Sequence, residues 1–186
     1  MCDMTFRWTE HRFAGGALAL DVANSVILRS EAAKSVDRFA VPAQIAAFAE
    51  AATRLGAERH RFPTLIAPEA ERRPIFLELR EAVDDYFRTS ISGSGDGDGK
   101  LAGLLFACGT ALRTFPLAES LGNATAHSAL SLLAGETQER LRICGNCGWL
   151  FIDRSKNKSR IWCDMAVCGN RQKANRHYHR KKEAQT

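Results

Sequence analysis

Apolar residues recur at helical spacing through most of the first 140 positions. Residues 17–28 place Leu18, Val22 and Val26 on one stripe with Leu20, Ala23 and Ile27 beside it, which predicts a helix. Pro42 suits a first helical turn, and Ile45, Phe48, Ala52 and Leu55 follow until Gly56 stops the pattern, so a second helix is expected over 43–55. Pro74 opens a third, 75–89, with Phe76, Leu79, Val83 and Phe87 on its dry stripe and Arg80, Asp84, Asp85 and Arg88 on its solvated side. Two more are read at 100–108 and 123–134, the latter aligning Ala126, Leu130 and Leu133 before Gly135, with Thr114-Phe115-Pro116 as the break between them. Residues 92–99, SGSGDGDG, read as a flexible loop and lack the oxygen-ligand spacing of a calcium site.

Alternating patterns are confined to the two ends. Thr5 to Trp8 reads as a short strand before the turn Gly15-Gly16. Near the C-terminus, Trp149 to Asp153 alternates aromatic and aliphatic residues, and Arg160 to Cys163 returns after the polar tip 154–159, which predicts a β-hairpin. Leu141 and Ile143 begin a further short strand. From Asn170, which can cap a helix, to Glu183 there is no Gly or Pro, so the chain is expected to close on a helix. The fold class is therefore mainly α: a helical N-terminal domain over 1–140 and a small ββα-like module over 141–186. Almost no linker separates them, so they should pack together.

That module holds four of the six cysteines. Cys144 and Cys147 form a CxxC pair, and Cys163 and Cys168 form a second pair with four residues between them. Tetrahedral zinc needs thiolates at about 2.3 Å, and two cysteines in one tight turn can occupy adjacent corners, so two turns close the shell. Gly145, Gly148 and Gly169 stand where such turns favour positive φ. A shell of four sulfurs leaves no position for water, which makes the expected Zn2+ structural. The competing readings are disulfides or plain core thiols, and His177 or His179 in place of one sulfur. Cys2 and Cys108 have no such partner and read as free thiols.

Charge separates the two parts. Residues 141–186 carry eleven Lys or Arg against three Asp or Glu, while residues 1–140 carry fifteen against eighteen. A basic, rigid module points to a polyanion, with a merely solvated face as the alternative. Arg154, Lys156, Lys158, Arg160, Arg171, Lys173, Arg176 and Arg180 are the candidate nucleic-acid contacts, although Arg160 could instead buttress the fold. Trp149 and Phe151 are expected in the core, and Tyr178 could stack on a base. In the predicted first helix, Asp21 and Asn24 share one polar edge; they could bind a small ligand or tie down a neighbouring loop.

Residues 144–180 closely resemble the CGNR zinc finger through Cys147 to Phe151, Asp153 to Arg160, Trp162 to Met165 and the signature Cys168-Gly169-Asn170-Arg171. The segment around Asp21 and Asn24 more weakly resembles the opening of the helical ABATE domain that precedes such fingers. The resemblance implies a bacterial, stress-induced transcription regulator in which the four cysteines hold zinc and the finger binds duplex DNA. A small-molecule effector of the N-terminal domain is allowed for, and because one module this small touches few base pairs while specific binding buries roughly 1,000 Å² or more, a homodimer on a two-fold site is expected. An RNA-binding or protein-binding zinc module is the alternative, and an enzyme with a structural zinc the second. No Gly-rich phosphate loop, HExxH or GxSxG is found, so no catalytic residue is expected. There is no run of 18 apolar residues and no signal pattern at the N-terminus, so no membrane partner and a cytoplasmic location are expected.

Overall fold

The computed structural model describes residues 6–93 and 95–183, the side chains of 175–177, 179 and 181–183 excepted. Its helices are α1 (Leu18–Ala23), α2 (Pro42–Leu55), α3 (Arg73–Ser92), α4 (Gly97–Thr114), α5 (Leu121–Ala134) and α6 (Asn170–Glu183). Two antiparallel ribbons join them: β1 (Val26–Ile27) with β2 (Val36–Asp37), and β3 (Leu141–Ile143) with β4 (Leu150–Ile152). The mainly helical expectation holds, and a small ribbon near the C-terminus carries the cysteines.

The centre is α1. Every one of its residues is buried, as LALDVA, apolar on nearly all sides, requires. It packs against α3, α5 and β4. Small residues on α5 permit the close approach, and the Ala19 amide donates to the Ser128 hydroxyl at 3.0 Å. Glu58 caps the start of α1 from outside, accepting the Leu18 amide at 2.8 Å and the Ser128 hydroxyl at 2.5 Å. The helix expected to reach Leu28 stops at Ala23, because Val26 and Ile27 leave it to pair with Asp37 and Val36.

Phe6 to Trp8 form no strand. The Trp8 ring lies 5.0 Å from Phe48 in a cluster with Phe13 and Phe39, and its indole N–H donates to the Gln44 carbonyl at 3.1 Å. Aromatic burial here overrides a β-like pattern that has no partner strand. The loop read over 92–99 also contracts: α3 continues to Ser92, Gly93 ends it, and the Asp96 carboxylate caps α4 by accepting the Gly99 amide at 2.8 Å.

The polar side of α3 is only partly wet. Phe76, Leu79, Val83 and Phe87 face the core as expected, but Arg80 and Asp84 are buried as well. Arg80 forks onto Asp37 of β2 at 2.7 and 2.9 Å, and Asp84 receives Arg88 at 2.7 and 3.0 Å and lies 3.4 Å from Arg29. The first ribbon covers this side, and ion pairing compensates its charges. Asp85 stays exposed and pairs with Lys100.

The C-terminal hairpin has a different partner from the one expected. β4 pairs with β3, in the register Leu141 to Ile152 and Ile143 to Leu150, whereas 160–163 form no strand. The first cysteine pair is itself the turn, and the Asp153 carboxylate captures the Arg160 amide at 2.8 Å, bending the returning chain away from a ladder. Leu141, Leu150 and Ile152 belong to the same core as the helices. Asn24 binds Leu150 in both directions, its amide donating to the carbonyl and its oxygen accepting the N–H, each at 2.8 Å. The close packing expected from the missing linker is present. No described helix is long and apolar enough to cross a membrane. Asn24→Ala strands both backbone groups of Leu150 and should cost about 3 kcal/mol, read as a lower urea midpoint at unchanged slope.

Candidate metal centre

The first cysteine turn hangs between β3 and β4. The Cys144 amide donates to the Trp149 carbonyl at 2.8 Å and the Gly148 amide to the Cys144 carbonyl at 2.9 Å. Gly148, at φ 72°, takes the left-handed conformation that closes the turn. The second turn is built on Asp164. Its carboxylate accepts the Ala166 and Val167 amides at 2.7 and 3.1 Å, and its carbonyl accepts Cys168 and Gly169 at 2.9 and 3.1 Å, winding one wide turn before α6. Asp164, not Asn170, is thus the capping residue; the Asn170 amide reaches back to the Ala166 carbonyl instead. Gly145 and Gly169 are not at positive φ. Side chains there would run into Trp162, which lies across both turns.

These turns bring the four cysteines together. All are buried, and their sulfurs lie within 4.8 Å of one another. Cys147 to Cys163 and Cys163 to Cys168 are each 3.7 Å. A tetrahedron with metal–sulfur bonds of about 2.3 Å has edges of about 3.8 Å, so the donor set and the spacing fit one structural zinc ion. Among the thiols alone, hydrogen bonds from Cys147 and Cys163 hold Cys144 far below the ordinary thiol range, and Cys144 in turn pushes Cys147 and Cys163 up. Bound at Cys144, Cys147, Cys163 and Cys168, a zinc ion would supply the charge that lets all four ionise together and would tie the two turns into one unit.

Residues 140–181 match the family model of the CGNR zinc finger. The chain matches no curated protein and no solved structure. The match covers the finger and leaves the helical part of the chain outside it.

Groups from the helical part surround the finger. Arg88 of α3 donates to the Gly148 carbonyl at 3.0 Å while holding Asp84. His11 Nδ1 donates to the Asp164 carboxylate at 3.0 Å. Burial opposes ionisation of Asp164, yet His11 and the Val167 and Ala166 amides keep its carboxyl below the usual range. Arg12 lies 5.7 Å over the Trp149 ring. Burial lowers its guanidinium, Arg38 and Arg171 adding to the effect, while Cys147 and Cys168 act the other way. Residue patterns could not reveal these supports, because each joins positions distant in sequence. The only local hint was that the finger starts directly after the helices.

The basic residues separate into groups. Arg154, Lys156, Lys158, Arg171, Lys173 and Arg180 are exposed. Lys158 pairs with Glu139 at 2.9 Å, an exposed contact that solvent and salt screen. Arg160 is half-buried, lies 5.7 Å over the Phe151 ring and donates to the Cys163 carbonyl at 2.6 Å, so it buttresses the second turn. The Arg176, His177 and His179 side chains and Cys2 lie outside the described residues. Trp149 and Phe151 are core, whereas Tyr178 is 65 % exposed. Cys108 is a buried free thiol, pushed up to about 11 by burial.

Neither Asp21 nor Asn24 faces solvent. Asn24 ties α1 to β4, and one Asp21 oxygen accepts the Gly15 amide at 2.8 Å, the loop-tying role. The other Asp21 oxygen has no hydrogen-bond partner among the described residues. Burial raises the Asp21 carboxyl well above the usual range; the Gly15 amide opposes this and the Glu58 charge adds to it.

Two outcomes are expected. Zinc should copurify at one ion per chain, and Cys163→Ser should abolish it and lower the calorimetric melting of the whole chain. As pH rises above about 4, the unfolded Asp21 carboxyl ionises while the native one stays protonated. The Asp21 contribution to stability should therefore fall with pH until the native carboxyl ionises, and the stability of Asp21→Asn relative to wild type should rise over that range in urea titrations.

Proposed function

We propose that the chain is a zinc-dependent DNA-binding transcription regulator whose finger docks its cationic face on duplex DNA. The observation that carries this reading is the disposition of charge. Asp153 accepts the Ser155 and Arg160 amides, and Asp164 accepts His11 and the turn amides, so both described carboxylates of the finger are already hydrogen-bonded within the protein. Lys156, Arg171, Lys173 and Arg180 remain in solvent, and the exposed Arg154 spends one N–H on the Gly16 carbonyl at 3.0 Å. A polyanion is the partner such a face selects. Arg forks suit guanine edges, and Lys suits phosphate.

On this reading the helical part is ABATE-like and regulatory. Because it shares a core with the finger, a small-molecule effector or a stress signal acting on it reaches the metal centre through packed side chains and not through a tether. One finger covers few base pairs, while specific sites bury roughly 1,000 Å² or more of protein surface, so a homodimer on a two-fold site completes the recognition. The protein works in the cytoplasm and has no catalytic role.

Duplex binding by the zinc-loaded chain should weaken linearly in log salt. Arg171→Gln and Lys173→Gln should each reduce the slope by about 0.9 and lower affinity similarly for all sequences. Salt-independent binding, or tighter binding to structured RNA at matched salt, would overturn the reading.

A further inference from the structure

We infer that the finger recognises A·T base pairs through an apolar ridge and an adjoining amide pair, an inference that rests on the duplex-DNA reading above. A Cβ at Gly145 would stand 2.9 Å from Trp162 Cζ3 and 3.4 Å from Ile161 Cγ2; one at Gly169 would stand 3.3 Å from Trp162 Cδ1 and 3.2 Å from Met165 Cε. Ile161, Trp162 and Met165 therefore form one ridge crossing both cysteine turns. Ile161 is 61 % and Met165 49 % exposed, although the finger buries its cysteines, Trp149 and Phe151.

Beside the ridge, Gln172 Nε2 donates to Asn146 Oδ1 at 3.1 Å, joining the first turn of α6 to the residue after Gly145. That bond engages one amide atom of each residue and leaves the Asn146 N–H groups as donors and the Gln172 carbonyl oxygen as an acceptor, with no further hydrogen-bond partner among the described residues. Adenine presents the matching pair in the major groove, acceptor N7 and donor N6, and its thymine partner adds a C5-methyl group. The ridge meets the methyl, and the amides meet the adenine edge. Arg171 and Lys173 flank Gln172 and are exposed, which seats the ridge inside a polyanion and not in a neutral protein groove.

The test uses the full zinc-loaded chain and three probes: an alternating dA·dT duplex, the same duplex with deoxyuridine for thymidine, and an alternating dG·dC duplex. Wild-type protein should prefer dA·dT to dG·dC about tenfold and lose about fourfold on removal of the methyl. Ile161→Ser with Met165→Ser should bind the thymine and uracil duplexes equally, with zinc content and salt slope unchanged. Asn146→Ala should reduce the dA·dT preference while keeping the methyl effect. No dA·dT preference in the wild type, or the same methyl effect in the double variant, overturns this inference and leaves salt-dependent docking standing. Failure of wild-type protein to retain any duplex overturns both.

Discussion

Four sulfurs from two separate turns must stand about 3.8 Å apart around one cation, and nearly everything near the C-terminus follows from that demand. Like-charged thiolates repel, so the turns cannot be held there by the thiols themselves. Each turn is instead fixed by its own backbone: the first by Gly148 and the β3–β4 ladder, the second by amides gathered on Asp164. Trp162 spans the gap between them, and the glycines on either side make room for its ring.

The second layer of support comes from outside the finger. Arg88 and Asn24 each direct a polar group at a backbone group of the finger that would otherwise lack a partner, and His11 adds a hydrogen bond to the Asp164 carboxylate that holds the second turn. These contacts lie in or near a shared apolar core, where an unsatisfied group costs about 1–3 kcal/mol. The finger is thus oriented by the helical body as well as by its own ion, and two of the α3 charges that look solvated in the sequence, Asp84 and Arg88, are part of that mounting.

The parts legible in the sequence were those set by local chemistry. The paired spacing of four cysteines pointed to the cluster that could hold a metal, and the stripes of α2 and α3 gave their core faces because four apolar residues in register leave a helix little choice. What failed depended on distant partners. Val26 and Ile27 continue a helical stripe yet pair with a strand ten residues away. The Trp149 run does form a strand, but the zinc turn, not the polar tip, decides its neighbour. Asp21 and Asn24 look like a ligand edge until the body that buries them is in place. SGSGDGDG reads as loose because composition does not show that the Asp96 carboxylate will accept the Gly99 amide and start α4.

The joint between the two parts has a consequence for the life of the chain. β4 packs against α1 and β3 against α3, with Leu141, Leu150 and Ile152 in their shared core, so a finger that loses its ion loosens strands on which the helices lean. Proteases act on opened segments, and small losses of stability change the open population several-fold. How long a copy survives is therefore coupled to whether it keeps its metal, and scarcity of the ion would thin the pool of the whole protein rather than leave an intact body with a slack tail.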